Sequence, residues 1–185
     1  MLLSSLLLLT IGCSELQNGQ EKLVDIPKKA WMSNYAPWIH LSIEDSTTSY
    51  YVYAVLRHTE ELKYENLLMR YGYIAPGDSV RYQELNLPLA LHGAWLGDTL
   101  GSVVETRVRL GDKPRHFAQG DNVFILSHLM PDEPLIGILQ VGIRIEAATA
   151  DSGSSQPAAQ AQISAATDSS LNVQHPVDSS LGSRP

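Results

Sequence analysis

Histidine and cysteine side chains are the groups of this 185-residue chain best suited to binding metals or reacting as nucleophiles. No two of its histidines are four residues apart, as zinc ligands on one helix face would be, and no His-Glu-x-x-His sequence occurs. A single cysteine, Cys13, excludes an internal disulfide and a cysteine-based zinc site. We therefore predict no metal site. The histidines are His40, His58, His92, His116, His128 and His175.

Carboxylates are the other common catalytic groups, and here they are scattered over predicted loops. An EF-hand calcium loop is missing, and so are a Gly-x-Ser-x-Gly elbow and a phosphate-binding loop. A glycosidase would need two carboxylates about 5–9 Å apart, and a sequence alone does not place such a pair. We expect no enzymatic activity, no cofactor and no small-molecule ligand. The net charge of −7 also argues against nucleic acid as a partner, because phosphate binding requires a basic face.

The N-terminal segment predicts a lipid anchor on Cys13. Residues 1–12 are apolar and uncharged, with the length of the hydrophobic region of a secretory signal. Residues 9–13, Leu-Thr-Ile-Gly-Cys, resemble a bacterial lipobox, although Thr10 stands where leucine is usual. That resemblance implies that the signal peptide is cleaved before Cys13 and that Cys13 is acylated, for example with palmitate. The alternative is a buried core cysteine, which the polar stretch that follows disfavours.

Composition divides the rest of the chain into three segments. Residues 13–22 comprise the lipidated cysteine and a hydrophilic tether, and residues 23–146 have the size of one domain. Residues 147–185 contain no Trp, Tyr or Phe and are dominated by small and polar residues. We predict a disordered tail there, because such a segment buries too little apolar area to offset the conformational entropy lost on folding.

Alternation of apolar and polar residues predicts an all-β domain. In residues 38–44, Ile39, Leu41 and Ile43 point one way, whereas His40 points to solvent. Pro88 favours an edge position for its strand, since proline cannot donate to the ladder. Seven or eight short strands predict an antiparallel β-sandwich, with a closed barrel as the alternative. The predicted strands are 38–44, 50–57, 67–74, 79–89, 102–110, 122–129 and 139–146.

Aromatic residues provide the candidate contact surface. Tyrosine combines apolar area with a polar tip and is well suited to recognition, and Tyr51 and Tyr53 would lie on one face of a predicted strand. Trp95 lies in a predicted glycine-rich loop at residues 92–101. We predict that Tyr51, Tyr53 and Trp95 contribute to binding, while the alternative is that such side chains pack in or around the core.

Several dispersed motifs are similar to one known family, the gliding-motility lipoproteins called GldH. The resemblance covers Cys13 and about residues 24–146 and implies a small Bacteroidetes-type envelope lipoprotein, associated with surface gliding and with secretion of gliding adhesins. The family brings no established catalytic residues, so only Cys13 carries over as a site. The motifs are Asp-Ile-Pro-Lys-Lys-Ala-Trp at 25–31, Tyr-Tyr-Val-Tyr at 50–53, Leu-Arg-His-Thr at 56–59, Tyr-Glu-Asn-Leu at 64–67, Trp-Leu-Gly at 95–97, Gly-Ser at 101–102, Pro-Leu-Ile-Gly-Ile at 134–138 and Val-Gly-Ile-Arg-Ile-Glu at 141–146.

These observations together predict a non-catalytic, lipid-anchored protein that works by contact with other envelope proteins of the gliding and secretion apparatus. We expect it in the cell envelope, anchored in the outer membrane through Cys13. The alternative is a surface glycan-binding β-sandwich held by the same anchor, because sandwiches with exposed aromatic residues often bind sugars.

Overall fold

The computed structural model describes residues 19–148 and the two-residue strand at 162–163. Cys13, the predicted signal peptide and most of the predicted tail lie outside the described residues. Among the described residues there is one short 3₁₀ helix, Pro27–Lys29, and no α-helix.

Fifteen strands, numbered along the chain, make up the described fold. Eight of them have six residues or more, and the others have two or three. The strands are β1 (Gly19–Asp25), β2 (Ala30–Trp31), β3 (Trp38–Ile43), β4 (Ser49–Thr59), β5 (Asn66–Ile74), β6 (Arg81–Pro88), β7 (Ala90–Leu91), β8 (Ala94–Trp95), β9 (Asp98–Leu100), β10 (Val103–Arg109), β11 (Arg115–His116), β12 (Gly120–His128), β13 (Leu135–Ile136), β14 (Ile138–Ala147) and β15 (Gln162–Ile163).

Two antiparallel sheets face each other, so the predicted all-β antiparallel fold is confirmed. The first sheet has the order β1-β14-β4-β10-β9, with β11 also paired to β4. The second has the order β15-β6-β5-β12-β3. Strand β6, which contains Pro88, pairs with β5 along its length, and on its other side Gln162 and Ile163 pair with Asn86 and Leu85.

The core lies between the sheets and follows the alternation of the sequence. Ile39, Leu41 and Ile43 of β3 are almost completely buried, while His40 and its neighbours on the other face are exposed. From β14, Val141, Ile143 and Ile145 enter the same core. Because a one-residue slip would turn each apolar set towards solvent, this burial also specifies the register of the strands.

The domain begins four residues earlier than the composition predicts. Residues 19–22, assigned to the tether from their polarity, form the first part of β1 and pair with β14. Gly19 lies opposite Glu146, and Asp25 lies opposite Gln140. This segment is held by backbone pairing and by contacts with charged neighbours. It therefore lacks the alternation of apolar residues from which a strand could have been predicted.

The predicted glycine-rich loop at residues 92–101 also contains regular structure. Strands β7 and β8 form a tight hairpin, and β9 forms a second hairpin with β10. The first hairpin turns at His92 and Gly93, whose φ angles are 52° and 79°. Two positive φ angles in sequence are the signature of the tight turns that match the twist of paired strands.

The strand directions give the sandwich two distinct ends. At the near end, the chain enters at Gly19 and leaves the domain at Ala148, beside the loops 44–48, 75–80 and 110–119. The far end is formed by the connections 26–37, 60–65, 89–102 and 129–137. Along β4, eleven residues separate the two ends, which corresponds to roughly 35 Å.

Gly142 allows β1 to lie close to β14. A Cβ atom at this position would stand 2.2 Å from the Lys22 carbonyl oxygen and 2.6 Å from Leu23 Cδ2. No side chain fits there unless the backbone of β1 moves. The entry of the chain into the domain therefore depends on a glycine in the partner strand.

Replacing Gly142 by alanine is expected to loosen β1. We expect Gly142→Ala to lower the free energy of unfolding by about 1–3 kcal/mol, the range for overpacking, in chemical denaturation. Amide exchange of β1 should accelerate. Gly77→Ala is the control, because Gly77 has a φ of 75° but no atom within 4 Å of the added Cβ. It should cost about 1 kcal/mol of backbone strain and leave exchange in β1 unchanged. Unaltered β1 exchange in Gly142→Ala would contradict the close approach.

Candidate functional site

The outer face of the first sheet holds two of the three predicted contact residues. Tyr51 and Tyr53 alternate with the core residues of β4 and lie partly exposed on this face. The Arg109 guanidinium lies 5.2 Å from the centre of the Tyr51 ring. Burial raises the pKa of Tyr53, and the nearby Glu146 carboxylate raises it further, whereas Arg109 lowers it. Both rings are therefore partly covered by charged neighbours.

A network of ion pairs covers the rest of this face. Glu105 accepts from Arg57 Nε at 2.6 Å and pairs with Arg107 Nη2 at 2.6 Å. Glu21 of β1 lies 3.4 Å from Arg144 Nη1 and 3.9 Å from Arg107 Nη2. Residues from four strands are thereby connected across the sheet. Nine charged side chains lie on this face, four arginines and five carboxylates: Arg57, Arg107, Arg109 and Arg144 against Glu21, Asp25, Asp98, Glu105 and Glu146.

The electrostatics of this face stabilise the charged forms. Burial alone would raise the pKa of Glu105, but the hydrogen bonds and charges of Arg57 and Arg107 outweigh it and hold that pKa below its usual value. Hydrogen bonding to Glu146 raises the pKa of Arg144, against the opposing effect of burial. Such compensated charges at Glu21, Glu105 and Glu146 stabilise the sheet.

Trp95, the third predicted contact residue, belongs to a different part of the molecule. Its ring packs edge-on against the buried His58, with the ring centroids 4.4 Å apart, and contacts the core between the sheets. His58 lies on the inner face of β4, near the far end, whereas Tyr51 and Tyr53 lie on the outer face near the other end. The structure therefore does not bring the three aromatic residues into one surface. Their role in binding remains a prediction.

The histidines of the described residues differ in burial and in hydrogen-bond partner. Burial lowers the pKa of His58, against a raising effect of its hydrogen bond with the Thr59 carbonyl. His128 is buried as well, and its Nε2 lies 2.9 Å from the Trp31 carbonyl oxygen. His40 is exposed, as predicted, and its Nδ1 lies 2.7 Å from Asp121 Oδ2. Within residues 19–148, no group of three or more metal-ligating side chains comes together.

An aromatic cluster at the near end is filled by a side chain of the protein itself. The Arg115 guanidinium lies 5.7, 5.0 and 4.8 Å from the ring centres of Tyr71, Tyr73 and Phe117 and donates to the Tyr71 hydroxyl. Burial raises the pKa of Tyr71 to about 12, although Arg115 opposes the shift. The cluster thus closes the core and offers no open cage to a cationic ligand.

Two exposed apolar surfaces are not among the sequence-predicted site residues. On the outer face of the second sheet, Trp38 and Tyr82 are 58% and 55% exposed, and the strands that carry them are separated by β12 and β5. At the far end, Leu91, Leu96 and Leu100 are 58%, 49% and 87% exposed. Leucine in a sequence usually indicates a core position, so only the glycines around these leucines signalled an exposed hairpin.

Comparison with known proteins identifies a family for almost all of the described domain. A family model described as GldH lipoprotein matches residues 19–145. No curated protein matches the chain, and no solved structure does. The match begins with the first residue of β1 and ends within β14, so it includes every strand of both sheets except β15 and the end of β14. Within the part of the chain that the structure describes, no helix is long and apolar enough to span a bilayer.

The ion pairs of Glu105 should make stability depend on pH. Because the folded-state pKa is lowered, the stabilisation is complete above the ordinary value of 4.5 and disappears as the pH falls through the folded-state pKa. We expect Glu105→Gln to cost about 1 kcal/mol at pH 7, and much less at pH 3, in urea denaturation. Glu84→Gln is the control, because the Glu84–Arg70 pair is about half exposed. It should change stability by less than about 0.5 kcal/mol. An equal loss in both variants would contradict the special role of Glu105.

Proposed function

Because this chain belongs to the GldH lipoprotein family, we propose that it is a non-catalytic, lipid-anchored component of the gliding-motility and secretion apparatus that works through protein contacts. Membership of this family makes it a lipoprotein of gliding-motility context and implies membrane attachment. The finer statements, acylation of Cys13, residence in the outer membrane and contact with other envelope proteins, are our proposal.

The position of β1 is the observation that best supports an anchor on Cys13. Only five residues, 14–18, separate Cys13 from Gly19, where the described domain begins. Six residue steps reach at most about 20 Å when fully extended. An acylated Cys13 would therefore hold the near end of the sandwich within that distance of the bilayer surface. Two or three acyl chains would make attachment stable, because each buried methylene contributes roughly 0.8 kcal/mol.

The hydrogen bonds and ion pairs of the described polar groups support a protein that works by binding other proteins. Most of the charged residues on the outer face of the first sheet are joined in ion pairs, and the two buried histidines are held by backbone carbonyl groups. Exposed apolar side chains, in contrast, remain without partners within the described domain. Surfaces of this kind bind macromolecules more readily than they carry out chemistry.

The anchor can be tested with Cys13→Ala in the full-length chain, expressed in its native envelope. The wild-type protein should begin at Cys13, carry acyl mass in intact-protein mass spectrometry and incorporate labelled palmitate. Cys13→Ala should lose both the acyl mass and the label, because no thiol remains to accept the chains. Ser14→Ala, which changes the adjacent residue, should keep both. Native protein without added lipid would overturn the proposed anchor.

Glycan binding is a second candidate function, favoured by the exposed aromatic pair on the second sheet. Trp38 lies opposite Ile125, Ile125 opposite Gly72, and Gly72 opposite Tyr82, so the pair flanks an apolar stripe. Three strand spacings put the backbones that carry the two aromatic residues about 14 Å apart. Aromatic faces spaced along a flat sheet suit the apolar faces of sugar rings.

A glycan array separates this candidate from the first. If it is correct, the purified protein should bind sugars saturably, and Trp38→Ala and Tyr82→Ala should each weaken binding at least tenfold. Tyr35→Ala, which removes an exposed ring at the far end, is the matched control and should bind normally. Absence of saturable binding to any glycan would exclude the second candidate and leave the first unaffected.

A further inference from the structure

Exposed apolar side chains are concentrated at one end of the domain. Of the ten large hydrophobic residues that are well exposed within the described residues, seven lie in the far half of the sandwich. Trp38 and Tyr82 share one row across the second sheet, and Val80 lies in the near-end loop 75–80. The seven are Met32, Tyr35, Leu68, Leu91, Leu96, Leu100 and Ile136. Such an asymmetry distinguishes this surface from the scattered apolar residues of an ordinary protein surface.

Three of these side chains belong to the segment of ten residues, 91–100, that contains the two far-end hairpins. Leu91 is on β7, Leu96 follows β8, and Leu100 is the last residue of β9. We refer to Leu91, Leu96 and Leu100 as the leucine tip. Full burial of a large apolar side chain contributes about 1.5–3 kcal/mol, at about 25 cal/mol per Å² of apolar area. Dividing the first figure by the second and scaling by the exposed fractions shows that the leucine tip exposes on the order of 200 Å² of apolar area.

The leucine tip is held in place by the backbone beneath it. The Glu65 carbonyl accepts from the backbone amides of Leu89 and Ala90 at 2.7 and 3.0 Å. The Glu65 carboxylate accepts from the Gly93 amide at 2.7 Å, and the Leu96 amide donates to the Leu89 carbonyl at 2.8 Å. Because these bonds join the hairpin to the neighbouring turn, the leucines are presented to solvent by an ordered support.

The surroundings of the leucine tip are acidic. The adjoining turn at residues 60–65 and strand β9 contribute four carboxylates and one ammonium group. A second copy of the chain would place like charges opposite one another, which disfavours self-association through this surface. The complementary partner is apolar at its centre and basic at its rim. The charged groups are Glu60, Glu61, Glu65 and Asp98 against Lys63.

Chain length specifies where this surface lies relative to the anchor. The tether from Cys13 reaches only Gly19 at the near end, and roughly 35 Å of strand separates that end from the leucine tip. A bilayer in contact with the near end therefore leaves the leucine tip free for another macromolecule.

We propose that the leucine tip is the docking surface for a second envelope protein whose contact surface is apolar at its centre and basic at its rim. This proposal specifies the contact made in the proposed function and relies on that function for the anchor. The apolar centre supplies affinity, and the acidic rim selects the partner by charge.

Site-specific photocrosslinking in the native envelope tests the proposal. A photoreactive amino acid is placed in the full-length chain at Leu96 or Leu100, and at Val80 or Tyr82 as the near-end controls. Tyr82, which is 55% exposed, is the match for Leu96, which is 49% exposed. We expect the far-end positions to give one crosslinked adduct with a different protein. The yield of the same adduct from the near-end positions should be at least tenfold lower. Peptide mapping should locate the partner's crosslink beside Lys or Arg residues. Asp98→Lys should reduce the adduct at least fivefold.

Other adducts would overturn the proposal in recognisable ways. An adduct of twice the chain mass would identify a second copy, and a lipid adduct would identify the bilayer as the occupant. Equal adducts from both ends, or none, would remove the preference for the far end. Membrane fractionation of the same cells reports on the anchor separately. If the protein is anchored but gives no far-end adduct, only the docking proposal is overturned. If the protein gives the adduct but is not anchored, only the proposed anchor is overturned.

Discussion

The antiparallel pairing of β1 with β14 determines how the rest of the molecule can be used. Seven residues of β1 pair with β14, and Gly142 provides the space that this approach needs. Glu21 then connects β1 to Arg144 and Arg107, so that the ion-pair network on the outer face depends on the same contact. Because the chain enters at Gly19, this pairing decides which end of the sandwich a short tether can hold at a membrane.

Alternating apolar residues were sufficient to predict most of the fold. Strand β3 of the second sheet and the part of β14 from Val141 to Ile145 in the first have apolar side chains at every second position, and both strands form as predicted. The sequence pattern did not predict strand β1, because its polar residues pair with charged neighbours instead of entering the core. The pattern did not predict the far-end hairpins either, because strands of two or three residues are too short to show an alternation of apolar and polar residues. Both depend on pairing with segments distant in sequence, which local patterns do not record.

The candidate site was harder to predict than the fold, for a related reason. Whether an aromatic side chain binds a partner depends on what covers it, and alternation shows only which face it occupies. Tyr51 and Tyr53 share a face as expected, but charged side chains surround them, and Trp95 packs over His58. Leu100 has the opposite character, since its residue type favours burial although its edge-strand position leaves it exposed.

Anchoring and docking at opposite ends would complement each other energetically. An apolar contact on the order of 200 Å² is far below the area of a standard protein interface and would bind weakly between proteins free in solution. Confinement of both partners to one membrane raises their effective concentration without any new contact, so a small surface becomes sufficient. The same arrangement would keep dissociation fast, because the contact itself stays small. The acidic rim would then have a large effect on the choice of partner despite its small area, because charge selects among proteins that the membrane has already brought close.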